Sequence, residues 1–471
     1  MKCNIWSAAD LTAALGVPVN VNVNVNGIVQ FNSKDIQPGD LFIALQSENG
    51  GDGHQFVNDA LARGADAVIV SKLIDNNAND KIILVNNTMS ALSQLANYRR
   101  QQLKNTTFIG ITGSVGKTST KEIMFKVFST YYKTFASRKN FNNLLGMLLN
   151  LASVPINTEY AIFELSTSSP GGLQKLVKIL PLNIAVLTNI NSAHTEFFNS
   201  LEHLTEAKCE IFNGLVNKGI AVINSDSMFY TKQLEYINKL GINNVFTFGT
   251  HQEANSNITN YYYDADNQKS VINISCNGYD WQFNTQILGY GQAFNIAAVM
   301  LVSNICKINL NKVTEVINTL RNYEGRGKIY LLNFHSNSSF IIDDCYNANP
   351  ASMKNALDLL GQIKAKRKVA ILGDMLELGN NTKEHHLNLV TYIKKYNIHV
   401  IAIGSLMKNV YELLPAELKL SHYNNINELP VDQLLPLLHD KDYVLIKGSN
   451  RMRLWQVIEN LLESGMLKDA I

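Results

Sequence analysis

The run Phe108-Ile-Gly-Ile-Thr112 passes directly into Gly113-Ser-Val-Gly-Lys-Thr118, and no other stretch of the 471 residues limits the available folds as strongly. An apolar run without polar alternation is a strand buried on both faces. The turn is rich in glycine, and helix-forming residues begin at Lys117. That order aims backbone N–H groups and the positive end of a helix dipole at one spot, which suits an anion. The spacing departs from the common phosphate-loop pattern G-x-x-x-x-G-K-[ST]. Five residues before Gly116 stands Ile111, and the glycines are Gly110 and Gly113. The expected site is nonetheless a nucleoside triphosphate cradle built by Gly113, Ser114 and Gly116. Lys117 reaches the terminal phosphates there, and Thr118 holds Mg²⁺.

The rest of the chain repeats the same grammar. Buried runs at Tyr160–Leu165, Asn183–Asn189 and Gly219–Asn224 alternate with helical stretches, followed by strand-like segments over Asn260–Leu288 and a helix over Gln292–Cys306. From Glu324-Gly-Arg-Gly327 onward, Ser339–Asp343, Lys368–Gly373, His399–Gly404 and Tyr443–Gly448 each read as strand, loop and helix. Before Thr107 the pattern is mixed, and Val17–Gly27 alternates with period two, fitting either an edge strand or a low-complexity loop. The expectation is an α/β protein of three domains, 1–106, 107–323 and 324–471. The central one is a phosphate-loop, doubly wound parallel sheet and the last is Rossmann-like. Ligands of open α/β sheets sit at the carboxyl ends of strands, so the chemistry belongs there.

Composition narrows the partners. Hydrophobic residues make up 46% and charged residues 17%, with net charge +2 and no basic block; a nucleic-acid partner is not expected. Five cysteines without C-x-x-C argue against a disulfide framework or zinc site. No apolar run spans a bilayer and no apolar leader is read, so a cytoplasmic protein without an integral membrane segment is expected.

Three further residues follow buried strands or lie close after them. Glu164 ends the run Tyr160-Ala-Ile-Phe-Glu164, where a carboxylate can cap the strand end or hold Mg²⁺. His194 follows the run Asn183–Asn189; a lone histidine is usually structural, and Mg²⁺ prefers oxygen. Lys208, within Glu206-Ala-Lys-Cys-Glu-Ile-Phe212, reads by composition alone as a surface helix lysine.

Taken together, the motifs resemble the Mur ligases. Thr112-Gly-Ser-Val-Gly-Lys-Thr118 is similar to their T-G-x-x-G-K-[ST] loop, which the folylpolyglutamate synthetases share. Asp343-Asp-Cys-Tyr-Asn-Ala-Asn-Pro350, Gly373-Asp-Met-Leu-Glu-Leu-Gly379 and Lys447-Gly-Ser-Asn-Arg-Met-Arg453 resemble the MurF family in particular. So do Pro38-Gly-Asp-Leu-Phe42 and Gly51-Asp-Gly-His-Gln-Phe56. The resemblance implies three domains that hold, in order, a UDP-sugar peptide, ATP and an amine substrate. It implies ATP-dependent amide formation through an acyl phosphate, joining D-alanyl-D-alanine to UDP-N-acetylmuramoyl-tripeptide, by a monomer. It further implies that Thr118 and Glu164 hold one Mg²⁺, and that His194 and a carbamylated Lys208 help hold a second. Asn295 would contact adenine, Arg326 the ATP phosphates and Asp344 the ribose. Ser33, Asn140 and Asn143 would approach the sugar peptide. Tyr346, Asn347 and Asn349 would face the nucleotide or the dipeptide, and Lys447-Gly-Ser449, at a strand end with a helix after it, could bind a substrate carboxylate by backbone amides.

The chain also departs from that family. Asn32-Ser-Lys34 stands where D-S-R is usual, and Lys cannot replace a bidentate Arg in kind. Glu164 is followed by Leu-Ser-Thr-Ser-Ser-Pro-Gly-Gly172 rather than L-G-A-N-H-P-G, and the G-x-H-x-x-x-N pattern becomes Gly289-Tyr-Gly-Gln292-Ala-Phe-Asn295. Two other readings stand beside the ligase: a related ligase of the folylpolyglutamate synthetase type, and a nucleotide-binding paralogue without catalysis.

Overall fold

A computed structural model describes residues 5–46, 50–73, 79–138, 141–191, 198, 200–264 and 267–470. Among the described residues the strands form four sheets. The first 100 residues carry a parallel sheet of Val29–Gln30, Leu41–Ile43, Ala67–Val70 and Ile82–Leu84. The period-two stretch gives one short strand, Asn24–Val25, paired antiparallel with Trp6–Ser7. Val23 and Val25 turn inward while Val21 stays exposed.

The central sheet has nine strands in the order 279–285, 269–276, 256–264, 245–249, 215–224, 182–187, 107–112, 160–164 and 134–136. The last seven of these run parallel. The first two are antiparallel additions, joined at Asn277-Gly278, where both residues have positive φ as a tight hairpin requires. Both added strands fall within the strand-like run expected over Asn260–Leu288. Alternate residues of each buried strand serve opposite faces. Ile109, Ile111, Ile162, Ile184 and Val186 pack against the helices Lys117–Ser129 and Tyr290–Ile305. Phe108, Phe163, Leu182 and Leu187 face the other way, into a core shared with Trp6, Leu11 and Leu92 of the first unit. Trp6 Nε1 donates to the Ala152 carbonyl at 2.9 Å, and the Val29 N–H donates to Ser153 Oγ at 2.9 Å, so polar bonds tie the two units as well.

The third sheet runs 419–423, 398–403, 367–373, 442–447, 337–343, 328–334 and 467–469. Its first five strands are parallel. Pro350–Gln362, Leu389–Lys395 and Ser405–Glu412 cover one face, and Val431–Leu434 and Trp455–Glu463 cover the other. Residues 324–327 lead into this sheet from the central one. No helix among the described residues is long and apolar enough to cross a membrane.

Candidate active site

The strand Thr107–Thr112 ends at Gly113, whose φ is +147°, and the helix Lys117–Ser129 begins after Gly116, whose φ is +86°. Both conformations suit glycine. Space reinforces the choice: a Cβ on Gly113 would lie 2.1 Å from Thr188 Oγ1, and one on Gly116 would lie 2.5 Å from Asn295 Oδ1. The turn is pinned to the neighbouring strand end. The Ser114 N–H donates to the Asn189 carbonyl at 2.7 Å, Ser114 Oγ to the Asn191 carbonyl at 3.0 Å, and Thr188 Oγ1 to the Val115 carbonyl at 2.6 Å. The ammonium of Lys117 lies over this turn and donates to the Gly113 carbonyl at 2.7 Å. Burial pushes its pKa down; Glu164 opposes that and Arg326 adds to it.

Glu164 closes the adjacent strand and is 4% exposed. Its Oε2 accepts from Thr118 Oγ1 at 2.6 Å and its Oε1 from Asn142 Nδ2 at 3.0 Å. Burial works against the charged carboxylate. The positive charge of Lys117, the bonds from Thr118 and Asn142, and the charge of Lys121 outweigh it and hold the group below its ordinary range. The backbone is set from behind: the Glu164 N–H donates to Ser137 Oγ at 2.9 Å, and buried Lys121 donates to the Ser137 carbonyl at 2.7 Å. An anionic oxygen beside a hydroxyl oxygen, at a phosphate loop, is a donor set that fits Mg²⁺. Among the described residues no group of three or more His, Cys, Asp or Glu side chains is placed to hold a metal ion.

Lys208 lies on the helix Leu201–Cys209 and is 2% exposed. Burial, then the charge of Lys117, lower its pKa to about 7, with Glu164 and Glu210 opposing. The amine is thus largely neutral just above neutrality, which a surface lysine is not. Composition gave no hint of this burial. His194 and Asn140 lie outside the described residues.

Asn295, on the helix Tyr290–Ile305, is bonded on both sides of its amide: Oδ1 accepts from Thr120 Oγ1 at 3.1 Å and Nδ2 donates to Gln292 Oε1 at 2.7 Å. It stands directly over Gly116. Arg326 stacks on Tyr346, with 4.0 Å from guanidinium to ring centroid. The Asp344 carboxylate receives Lys447 Nζ at 2.7 Å, and the same ammonium donates to the Asn347 carbonyl at 3.1 Å. Burial raises the Asp344 pKa, against the pull of Lys447.

Several expected substrate residues spend their polar atoms inside the protein. Ser33 is buried and bonds the Asp59 carboxylate. Asn143 caps the helix Leu144–Ala152 by accepting from the Gly146 N–H, and Asn349 caps Pro350–Gln362 by accepting from the Ser352 N–H. Asn347 accepts from the Ala348 N–H, and Ser449 Oγ from the Leu376 N–H at 2.8 Å. Sequence reasoning passed over Asn142, Ser137, Lys121, Thr120 and Gln292. The repeated asparagines at 140, 142 and 143 were a signal, but only the helix start decides which one turns to Glu164.

Comparison with known proteins meets this geometry from the other side. Residues 111–303 match the Mur ligase middle domain, 331–450 the Mur ligase glutamate ligase domain and 27–100 the Mur ligase catalytic domain. The chain is 41% identical over 456 residues to UDP-N-acetylmuramoyl-tripeptide–D-alanyl-D-alanine ligase of Rickettsia prowazekii (strain Madrid E), covering 97% of this chain and 99% of the relative. It is a Mur ligase of the MurF family. Solved MurF structures agree. The Thermotoga maritima MurF ligase in complex with ADP has 27% identity and a TM-score of 0.74, over 93% of this chain and 97% of that one. The Acinetobacter baumannii UDP-N-acetylmuramoylalanyl-D-glutamyl-2,6-diaminopimelate–D-alanyl-D-alanyl ligase has 25% identity and a TM-score of 0.81, over 98% and 99%.

Proposed function

We propose that this chain joins UDP-N-acetylmuramoyl-tripeptide to D-alanyl-D-alanine at the expense of ATP, through an acyl phosphate. The products are UDP-N-acetylmuramoyl-pentapeptide, ADP and phosphate, in peptidoglycan precursor synthesis. The observation that carries this is the meeting of Lys117, Thr118 and Glu164 at adjacent strand ends, within electrostatic reach of a buried Lys208. That arrangement serves phosphoryl transfer to an anion, in which charge must be neutralised and aligned. The length-wise match to ligases of this kind supports the choice of substrates.

A tripeptide carboxylate oxygen attacks the γ-phosphorus, the bond to the bridging oxygen breaks, and ADP leaves. The dipeptide amine then attacks the acyl carbon, phosphate departs from the tetrahedral intermediate, and the nitrogen gives up a proton. Lys117, the loop amides and Arg326 offset the negative charge that both anions bring. Thr118 and Glu164 would hold Mg²⁺, which would supply further charge neutralisation at the phosphates. His194 and Lys208 would serve a second ion, Lys208 once its neutral amine had added CO₂ and released a proton to become a carbamate. Asn295 with Gln292 faces the base, and Asp344 the ribose. Residues 1–106 receive the UDP-sugar peptide, aided by Asn140, while Ser33 and Asn143, bonded to Asp59 and to the Gly146 N–H, shape the surrounding loops. Residues 107–323 hold ATP, and 324–471 close with the amine. Within that last unit Asn347, Asn349, Lys447 and Ser449 shape the loops, and Tyr346 carries Arg326. The protein acts as a cytoplasmic monomer.

Phosphate release with ATP and Mg²⁺ tests the proposal, in the presence of UDP-N-acetylmuramoyl-tripeptide and with or without D-alanyl-D-alanine. Release that requires both, with the pentapeptide product seen by mass spectrometry, is expected. Tight ATP binding without release would instead support the non-catalytic paralogue.

A further inference from the structure

We propose that Arg451, steadied by Glu377, is the carboxylate-binding group for the amine substrate, a short peptide with a free C-terminus. The inference rests on the ligase reading above and adds to it the residue that reads the far end of the dipeptide.

Topology chooses the place. In the third sheet the strands Arg367–Gly373 and Asp442–Lys447 are neighbours. The chain leaves the first toward the helix Leu389–Lys395 on one face, and leaves the second toward Trp455–Glu463 on the other. The two loops leave neighbouring strand ends toward opposite faces of the sheet. Such a switch point is where open α/β sheets bind ligands. Glu377 stands on the first loop and Arg451 on the second, 3.3 Å apart.

Three observations separate this pair from an ordinary surface ion pair. Glu377 has φ +63° and Arg453, two residues past Arg451, has φ +56°. Left-handed backbone is unfavourable for both residue types and persists where surrounding structure enforces it, often at binding sites. The enforcement is visible. The Met375 N–H donates to His386 Nε2 at 2.9 Å, the Leu376 N–H to Ser449 Oγ at 2.8 Å, and the Ser449 N–H to the Asp374 carbonyl at 3.1 Å. The second loop is also joined to the phosphate site: Asn450 Nδ2 donates to the Tyr346 carbonyl at 3.1 Å, Tyr346 carries Arg326, and the charge of Arg326 is felt by Lys117. Finally, the Arg451 side chain is 75% exposed, and its ion pair with Glu377 uses a guanidinium nitrogen while the planar fork has others to offer. That fork matches a carboxylate with two parallel bonds, which a lysine cannot reproduce. Glu377 is the positioning residue, since its charge and its pinned loop hold the guanidinium at the switch point.

The test compares two acceptors, D-alanyl-D-alanine and its C-terminal carboxamide, with ATP and the UDP-sugar tripeptide held saturating. The wild type should favour the acid by about 10- to 100-fold in kcat/KM, the range expected for a charge-assisted pair. Arg451→Ala should bring the acid down to the level of the amide, and Arg451→Lys should recover only part of the preference. Glu377→Gln should raise KM for the acid by a smaller factor. KM for ATP and for the sugar peptide should stay within about twofold in all three, a normal scatter for a residue that does not touch them. An Arg451→Ala enzyme that still prefers the acid, or one whose KM for ATP rises as much as that for the dipeptide, overturns the assignment. A wild type that makes no product from the acid overturns the ligase reading itself, and this inference with it.

Discussion

The guanidinium of Arg326 lies 4.0 Å from the centre of the Tyr346 ring, and this contact joins the connector before the third sheet to that sheet's first ligand loop. The backbone is joined at the same point. The Tyr346 N–H donates to the Gly325 carbonyl at 3.0 Å, and the Gly325 N–H donates to Asp343 Oδ2 at 2.7 Å. Any movement of the third domain must therefore carry Arg326 with it. Replacing Tyr346 with Ala should lower kcat by about 3- to 30-fold, the worth of a partly desolvated cation–π contact. Tyr346→Phe should keep most of the activity, because the ring and not the hydroxyl holds the guanidinium. Steady-state kinetics on both variants checks this; equal losses would show that the hydroxyl acts instead.

The buried amine of Lys208 sets a pH dependence whose sign can be worked out. The unfolded chain keeps its proton up to about 10.5, whereas the folded protein gives it up near 7. Between these values the unfolded state binds more protons, so the stability contribution rises with pH from about 7 and is least favourable below 7. Addition of CO₂ needs the neutral amine, so carbamate should form above about 7 and be lost below it. A ¹³C carbonyl signal on incubation with ¹³C-bicarbonate, present at pH 8.5, absent at pH 6 and absent in Lys208→Ala, is the expected result.

Gly113 has no room for a side chain. A Cβ would meet Thr188 Oγ1 at 2.1 Å and the Asn189 carbonyl at 3.0 Å, at a φ of +147°. Gly113→Ala should weaken ATP binding by about 5- to 160-fold, given overpacking costs of about 1–3 kcal/mol. Calorimetric titration with a non-hydrolysable ATP analogue measures it.

Glu164→Gln keeps the shape and removes the charge. Both carboxylate oxygens accept bonds, from Thr118 and from Asn142; the amide can keep the Asn142 bond, but its NH₂ then makes Thr118 Oγ1 an acceptor in place of a donor. Product formation should fall by about 100-fold or more, comparable to losing one electrostatic group at a reacting centre. Asn142→Ala should show a milder loss of the same kind, and the apparent Mg²⁺ requirement should shift upward in both.

Lys447 is buried against Asp344 and two loop carbonyls. Lys447→Met strands the carboxylate beneath the loop and should destabilise the protein by about 2–4 kcal/mol, somewhat less than for a wholly enclosed pair. Urea unfolding reads the change. An unaltered midpoint would mean that the Asp344 charge is relieved by solvent.

Much of this was legible before any coordinates. The buried strand and its glycine loop declare the central sheet, because continuous apolar runs and a helix start at Lys117 leave few other folds. The site residues of that loop follow from local chemistry: positive φ at Gly113 and Gly116, a cation at 117 and a hydroxyl at 118. The antiparallel edge beyond Ser256 was less clear, since alternating patterns name strands but not their partners. Lys121 and Ser137 were not legible, and Asn142 only as one of several asparagines, because their roles are set by partners distant in sequence and by which asparagine precedes a helix.

The amino-acid sequence by itself determined the elements, their α/β order and the phosphate loop, since these depend on periodicity, glycine conformation and neighbours a few residues away. Only the tertiary structure decided that Lys208 is buried beside like charge, that Lys447 is spent on Asp344, and that Arg451 meets Glu377 across a switch point. Burial and charge pairing are properties of space: a lysine reads the same in sequence whether it faces water or the core, and desolvation changes its chemistry only once the chain has closed around it.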